Sequence, residues 1–154
     1  MEEDVIARRA AGNIAPYKSR YEYNQAVRLE KNGVNFEYEK HKIEWYQEIS
    51  RGHCPVCQST DVCQVRSYTP DFYFPETNIY VETKGRFTSE NRTFMSQIVK
   101  QADTEIRMVF MADNYCTKKK GMKYSRWCEL NNIEYAIGSI PLEWIEADVN
   151  DKTD

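Results

Sequence analysis

Two short segments of this 154-residue chain carry acidic and basic side chains in a spacing that suits hydrolytic chemistry. Asp71 follows Pro70, and after ten further residues comes Glu82, one residue away from Lys84. Both segments are rich in aromatic and β-branched residues, and residues 75–78 between them are typical of a turn, so we predict two adjacent strands. Because side chains alternate along a strand, Glu82 and Lys84 should share one face.

Two carboxylates and one lysine at such a point suit a divalent metal ion. Mg²⁺ prefers hard carboxylate oxygens, with water and substrate phosphate completing its shell. We therefore predict Asp71 and Glu82 as ligands, and we expect Lys84 to orient an attacking water or to stabilise charge on a phosphate. The alternative is a solvated hairpin face with a chance Glu/Lys pair, since the spacing alone is a loose pattern.

A helix predicted upstream carries another acid. Ser19 suits the N-cap position, Glu22 follows it by three residues, and Gly33 is a typical C-terminal stop, so the helix should run to about residue 32. Glu22 falls on the same face as the apolar residues Ala26 and Leu29. Two interpretations are open: a capping box satisfies this acid locally, or it is a third carboxylate directed at the strand cluster.

The five cysteines of the chain are an odd number, which argues against a disulfide framework. Cys54 and Cys57 have the spacing of a zinc knuckle, and Cys63 could be a third ligand. The fourth ligand is open between His53, His41 and a residue of another subunit. A redox function is less well supported because no thioredoxin-like pattern surrounds the motif. The remaining alternative is three metal-free thiols on a hairpin tip.

The basic residues fall into three groups that could contact a phosphate backbone. The net charge is −3, from 21 basic and 24 acidic residues, which argues against a generally basic nucleic-acid binder but leaves room for local patches. The first group, Arg8 and Arg9, lies on an N-terminal arm. The second, Arg86 and Arg92, lies beside the acidic cluster. The third lies in a loop and consists of Lys118, Lys119, Lys120 and Lys123. A frayed terminus and a solvated loop are the alternatives for the first and third groups.

Length and composition indicate one domain with a real core, since 41% of residues are apolar and 13% aromatic. Residues 1–16 are predicted to be a mobile arm, residues 17–147 the domain with a cysteine-rich insert at 50–66, and residues 148–154 an acidic tail. No stretch approaches the about 18 apolar residues of a membrane span, and the N-terminus does not resemble a signal peptide, so we expect a soluble, intracellular protein.

The order of predicted elements indicates a mixed α/β sheet flanked by helices. Residues 34–49 should form one long strand, or two with a bend near 40–42, with Glu37, Glu39 and Lys40 on its solvated face. A helix should follow Thr88 or Ser89 up to about residue 102, a buried strand should span 106–112, and a short helix at 124–132 should turn Trp127 and Leu130 inward. A strand at 133–137 and a helical turn at 140–145 complete the fold.

Several motifs in this order resemble one known family. They are Tyr-Lys-Ser-x-x-Glu at 17–22, Phe-Glu-Tyr-Glu at 36–39, Tyr-Thr-Pro-Asp-Phe at 68–72, Val-Glu-Thr-Lys-Gly at 81–85, Ile-Arg-Met-Val-Phe at 106–110 and Ile-Pro-Leu-Glu-Trp-Ile at 140–145. Together they are similar to phage endonuclease I of the T-seven type, a Holliday-junction resolvase of the PD-(D/E)xK nuclease superfamily. The insert with its three cysteines departs from the best-known member.

The resemblance implies a restriction-endonuclease-like fold and a Mg²⁺- or Mn²⁺-dependent endodeoxyribonuclease that resolves four-way and other branched DNA junctions. Glu22, Asp71, Glu82 and Lys84 would form its active site, with the three acids holding about two metal ions. A domain-swapped homodimer is implied, in which Glu22 of one chain completes the site of the other, acting in the bacterial host cytoplasm. A restriction- or repair-type nuclease and a non-catalytic zinc-bearing DNA-binding module are the alternatives.

Overall fold

Residues 14–51 and 61–146 are described by the computed structural model. They form three α-helices, seven strands and one 3-10 turn. In chain order these elements are α1 (Arg20–Lys31), β1 (Glu37–Tyr38), β2 (Ile43–Arg51), β3 (Asp61–Tyr68), β4 (Phe72–Phe74), β5 (Ile79–Lys84), α2 (Ser89–Gln101), β6 (Glu105–Phe110), α3 (Tyr124–Leu130), β7 (Tyr135–Ile137) and the 3-10 turn (Leu142–Trp144).

Five of the strands form a mixed sheet in the order β1-β4-β5-β6-β7. Strand β4 pairs antiparallel with β1 and β5, whereas β6 pairs parallel with β5 and β7. The two parallel pairs are joined through α2 and α3, since parallel neighbours need a crossover connection. Strands β2 and β3 form a separate antiparallel ribbon, in which Ile43 pairs with Tyr68. The central strand β5 therefore has one neighbour of each orientation.

Side-chain caps begin the two longer helices. Ser19 Oγ accepts a hydrogen bond from the Glu22 backbone N–H at 3.1 Å. Thr88 and Asn91 form a full capping box at the start of α2, with reciprocal bonds of 3.1 and 3.3 Å. These caps satisfy N–H groups that have no partner within the helix. After α1 the chain turns at Gly33, whose φ of +69° suits a residue without a Cβ.

Each face of the mixed sheet carries its own hydrophobic core. The core under α1 contains Ala26, Leu29, Phe72, Phe74, Val81 and Val109. The core under α2 and α3 contains Phe87, Met95, Ile98, Met108, Phe110 and Cys128. Trp45 of β2 is buried in the second core, which anchors the ribbon beside the sheet. Burial of each large side chain contributes about 1.5–3 kcal/mol, so both faces stabilise the position of β5 between them.

Four hydrogen bonds tie α1 to the segment that follows β7. Gly138 O accepts from Tyr21 Oη at 2.9 Å and from Gln25 Nε2 at 3.3 Å. Gln25 Oε1 in turn accepts from the Ile140 backbone N–H at 3.0 Å, and Arg28 Nη1 donates to Ile140 O at 2.5 Å. The helix is therefore fixed to the sheet by polar contacts as well as by its apolar stripe.

The predicted fold class, a mixed α/β sheet flanked by helices, is confirmed. Residues 34–49 form two strands that are separated around residues 39–42, which is one of the two predicted alternatives. The prediction that Leu130 points inward is wrong, because this side chain is 53% exposed. Helix α3 ends at Leu130, and its buried positions are Tyr124 and Cys128, one turn apart. Trp127 packs against the second core as predicted.

Several predictions fall outside the described residues. These include the basic pair Arg8 and Arg9, the zinc ligands Cys54 and Cys57, and the acidic tail. Cys63 lies in β3 opposite Glu48, but its side chain is outside the described part of the chain. The zinc site therefore stays a prediction.

Within 14–51 and 61–146, no helix has the length and apolar character needed to cross a membrane.

Candidate active site

Acidic side chains from three separate parts of the chain meet at one end of the sheet. Glu22 of α1, Glu39 after β1 and Asp71 before β4 each place one carboxylate oxygen within 4.8 Å of the others. Glu82 and Lys84 of β5 line the same cleft, which has a volume of ≈ 510 Å³. The structure thus brings together the three residues predicted from the spacing and Glu22, which the resemblance implied, and it adds Glu39.

Asp71 is held by the residue between Glu82 and Lys84. Its Oδ2 accepts hydrogen bonds from the Thr83 backbone N–H at 2.9 Å and from Thr83 Oγ1 at 2.8 Å. Burial, followed by the nearby charge of Glu82, raises the pKa of the Asp71 carboxyl to about 8, although the Thr83 hydrogen bonds oppose the shift. The alternation of β5 explains this arrangement, since Thr83 points away from the face of Glu82 and Lys84.

Glu82 is buried, and each of its carboxylate oxygens has a different partner. Oε1 lies 3.4 Å from Lys84 Nζ. Oε2 accepts a short hydrogen bond from the hydroxyl of Tyr68, the last residue of β3. Burial raises the pKa of the Glu82 carboxyl, and the positive charge of Lys84 and the Tyr68 hydrogen bond partly offset that effect. The carboxylate is therefore fixed in place before any ligand binds.

Glu22 is fixed in a comparable way from the helix side. Ser19 Oγ donates to its Oε2 at 2.8 Å, and the Tyr38 hydroxyl donates to its Oε1 at 3.2 Å. The side chain is nevertheless directed at the acidic cluster, with an oxygen close to those of Glu39 and Asp71. Ser19 caps the helix, but the Glu22 side chain bonds to the Ser19 hydroxyl rather than to its backbone N–H, so this is not a full capping box. The second interpretation, a carboxylate directed at the cluster, describes the geometry.

Glu39 is the site residue that the sequence analysis missed. We expected it on a solvated strand face with Glu37, and that expectation is wrong for Glu39. Strand β1 has only two residues, and the backbone turns at Glu39 with φ of +49°, where its N–H donates to Asp71 O at 2.9 Å. Its carboxylate pairs with Lys18 Nζ at 3.0 Å. Glu37 does point away, towards His41 at 2.7 Å.

The donor set fits a hard divalent cation. Carboxylate oxygens within 4.8 Å of one another repel, and the two from Glu22 and Asp71 belong to buried residues. Among the described residues Asp71 forms no ion pair that would offset this repulsion. Lys18 pairs with Glu39 at the exposed rim, and Lys84 pairs with Glu82. An ion with oxygen preference, such as Mg²⁺, would be held by the grouped oxygens of Asp71, Glu22 and Glu39, and Glu82 lines the same cleft.

A second concave surface begins one residue beyond Gly85. This cationic groove has a volume of ≈ 500 Å³ and is lined by Arg86, Arg92 and Lys118, together with hydroxyl-bearing residues that include Ser89 and Tyr115. Arg92 Nη1 donates to Phe87 O at 2.6 Å, so it also supports the loop. The three cations form no ion pair with any residue in the described ranges.

The other predicted basic residues lie on the turn that leads away from this groove. Lys119 and Lys120 are exposed, and Lys120 has φ of +50°. Lys123 pairs with Tyr115 in a single antiparallel bridge, and its Nζ lies 5.4 Å from the centre of the Tyr115 ring. The structure thus places all four lysines on one short hairpin, but only Lys118 contributes to the groove itself.

Comparison with known proteins gives a consistent result. The family described as Phage endonuclease I matches residues 3–153. The chain is 31% identical to Endonuclease I of Escherichia phage T7 over 135 residues, which cover 86% of this chain and 80% of that protein. It is also 30% identical to Endodeoxyribonuclease 1 of Enterobacteria phage T3 over 132 residues, covering 84% of this chain and 77% of that protein.

Proposed function

The chain belongs to the phage endonuclease I family and is an endonuclease that acts on DNA, and we propose that it cuts branched substrates. In this proposal it is a Mg²⁺-dependent endodeoxyribonuclease that hydrolyses phosphodiester bonds at four-way (Holliday) junctions and other branch points. As a relative of phage enzymes, it would act in the cytoplasm of the bacterial host. Mn²⁺ would be an alternative metal.

One observation carries the proposal: residues far apart in sequence converge on one buried acidic cleft that also holds a lysine. Glu22, Asp71 and Glu82 come from α1, the β4 entry and β5, yet they line one cavity with Lys84. A solvated hairpin face would leave Asp71 and Glu82 exposed, but they are only 7% and 5% exposed. Burying several carboxylates together is costly unless a cation binds there, which favours a metal-dependent function.

The residues divide the chemistry between them. Asp71 and Glu82, with Glu22, would hold the metal ions, about two in each site. When bound, Mg²⁺ would polarise the scissile phosphate and lower the pKa of a coordinated water. Lys84 is 27% exposed at the mouth of the cleft, where its ammonium can orient the attacking water and stabilise negative charge on the phosphate.

The cationic groove supplies a path for the DNA backbone beside the cut. Lys84 lines the cleft and Arg86 lines the groove, with only Gly85 between them. A strand whose phosphate lies at Lys84 can therefore continue towards Arg86, Arg92 and Lys118. Contacts of this type attract phosphates without reading bases, which suits a substrate that is defined by its geometry rather than by its sequence.

We further propose a homodimer with shared active sites. In the single chain Glu22 lies next to Asp71 of the same chain. A swapped dimer would form the same contacts between chains, and residues 34–49, which join α1 to the rest of the chain, would carry the helix across to the partner. Each site would then depend on both chains.

A nicking assay tests the activity. Purified protein is incubated with a four-way junction and with a plain duplex of the same sequence, each with and without Mg²⁺. We expect metal-dependent cleavage that strongly favours the junction. Equal cleavage of both substrates would support a restriction- or repair-type nuclease, and binding without cleavage would support a non-catalytic DNA-binding module.

Mixed dimers test the shared sites. One chain carries Glu22→Ala and the other Lys84→Ala. With swapping, one site collects both defects and the other has none, so the mixed dimer should nick one strand of a junction but fail to make the paired cuts. Without swapping, each site has one defect and both are inactive. Mixed dimers as inactive as either parent would refute shared sites and leave the nuclease activity unaffected.

A further inference from the structure

We propose that Tyr68 is a positioning residue of the active site, which holds Glu82 in the orientation that metal binding requires. The inference rests on the proposed metal-dependent cleavage and assigns a role to Tyr68, which belongs to the motif at 68–72 but was given no function there. Tyr68 does not touch the metal position in this assignment. It acts through its hydrogen bond to Glu82 Oε2.

The backbone of Tyr68 is fixed by elements on both sides. It ends β3, where it pairs with Ile43 across the ribbon, and its ring packs against the second core. Three residues later the chain reaches Asp71. The hydroxyl is therefore presented from a well-supported strand end, with little conformational entropy left to lose when it bonds to Glu82.

Glu82 needs the Tyr68 hydrogen bond because its other oxygen, Oε1, is paired with Lys84, and Lys84 is expected to contact the substrate phosphate. Lys84 Nζ lies 3.4 Å from Oε1, which is a loose ion pair. If Lys84 turns towards a phosphate, Glu82 loses that contact. The Tyr68 hydroxyl still holds Oε2, so the carboxylate keeps its orientation while the lysine responds to the substrate.

A similar arrangement occurs on the other side of the cleft. The Tyr38 hydroxyl donates to Glu22 Oε1 at 3.2 Å, as the Tyr68 hydroxyl donates to Glu82 Oε2. Glu22 also has Ser19 as a second donor, so it depends less on its tyrosine. Removing the Tyr68 hydroxyl should therefore disturb the orientation of Glu82 more than removing the Tyr38 hydroxyl disturbs that of Glu22.

The test uses Tyr68→Phe, which keeps the ring and removes the hydroxyl. Hydrogen-bond partners that orient metal ligands typically contribute 10- to 100-fold to metal affinity or activity. We expect Mn²⁺ binding, measured by titration calorimetry without DNA, to weaken about 10-fold. In steady-state cleavage, kcat should fall by a similar factor while KM for the junction stays unchanged. The matched control is Tyr80→Phe, which removes a hydroxyl from the same strand as Glu82 but outside the cleft.

Three outcomes are distinguishable. Unchanged Mn²⁺ affinity in Tyr68→Phe, with a wild type that binds Mn²⁺ and cuts junctions, overturns the inference alone. A wild type that neither binds Mn²⁺ nor cuts DNA overturns the proposed function instead. Should Tyr68→Phe also lower the melting temperature, the Glu82→Ala background separates the two effects, because it leaves the Tyr68 hydroxyl no carboxylate to position. A positioning role predicts no further loss of Mn²⁺ affinity there, whereas an equal further loss shows that Tyr68 only supports the fold.

Discussion

The acidic cleft and the cationic groove adjoin each other but are built in opposite ways. In the cleft, Asp71 and Glu82 are buried, and directional hydrogen bonds from Thr83 and Tyr68 fix their oxygens. In the groove, Arg86 and Lys118 are exposed, and no ion pair to a described residue restrains them. The carboxylates of the cleft are held in position before a ligand binds, and burying them costs free energy. The cations of the groove stay hydrated until a ligand binds.

This difference suggests that the cleft determines the rate of cleavage, whereas the groove contributes mainly to DNA affinity. Buried, oriented carboxylates act together, so the loss of one should disable the site. Exposed cations attract phosphates through long-range forces that salt screens, and their contributions should be close to additive. Substitutions in the two regions should therefore have effects on cleavage and DNA binding that differ in size and in salt dependence. Their effects on the stability of the protein should differ as well.

The largest expected effect follows from neutralising one acid of the cleft. Asp71→Asn and Glu82→Gln should each reduce cleavage by about 10²–10³-fold, the scale expected when one preorganised stabilising group is lost, because each residue would hold the metal on which the reaction depends. Junction binding should persist or tighten, since less negative charge opposes the phosphate. Single-turnover cleavage and gel-shift assays measure the two quantities.

The matched control for this experiment is Glu76→Gln, which removes an exposed carboxylate from the turn between β4 and β5. It should cleave like the wild type. Loss of junction binding together with cleavage in Asp71→Asn would contradict the separation of chemistry from affinity.

A smaller effect is expected in the groove. The double variant Arg86→Gln/Lys118→Gln should weaken DNA binding, and the slope of log K against log salt should become shallower by about 1.8 on duplex arms, or about 0.9 for each lost phosphate contact. Cleavage of bound DNA should fall far less than in Asp71→Asn. Binding titrations at several salt concentrations provide the measurement.

Lys100→Gln/Arg126→Gln is the charge-matched control. Lys100 is exposed at the end of α2, and Arg126 pairs with Glu129 at 3.1 Å on α3, so both lie outside the groove. Its salt slope should equal that of the wild type. An equal change in both double variants would show that only net charge matters and that the groove makes no specific contacts.

The smallest effect concerns the stability of the metal-free protein. The Asp71 pKa is raised from 3.8 to about 8, so its stabilising contribution is fully present below pH 3.8 and is lost as the pH rises towards 8. Glu82 is shifted in the same direction. Asp71→Asn removes the buried charge and should stabilise the metal-free protein by about 1–3 kcal/mol above pH 8.

Thermal unfolding in chelator between pH 4 and pH 9 checks this effect. The melting temperature of Asp71→Asn relative to wild type should rise with pH across that window, by roughly 3–10 °C in total. A difference that does not change with pH would show that Asp71 is not protonated in the metal-free cleft. Adding Mg²⁺ should reverse the order, because only the wild type keeps its ligand.

The sequence predicted those parts of the site that depend on local chemistry. The Ser19 cap and the apolar stripe defined α1, and the alternation of β5 placed Glu82 and Lys84 on one face. Their meeting with Asp71 needed only the hairpin between β4 and β5. The resemblance to a family, and not the spacing, decided for Glu22.

The remainder of the site depends on backbone turns and tertiary contacts that a pattern does not encode. Glu39 was assigned to a solvated face because alternation assumes a continuous strand, but the chain turns there with positive φ. Leu130 was placed inward because helix periodicity does not show where a helix ends. Tyr68 reaches Glu82 only because the ribbon packs beside the sheet through Trp45, a contact that has no local signal.

The hydrogen bonds between α1 and residues 138–140 have a consequence for synthesis on the ribosome. The helix that carries Glu22 is translated more than a hundred residues before Gly138 and Ile140, the backbone groups that secure it. At about 5–20 residues per second, that interval lasts roughly 6–25 s. We expect chains truncated before residue 138 to leave the helix open to protease, and released chains that include Ile145 to protect it. The acidic cleft would then stay unassembled until residues 138–140 have been made.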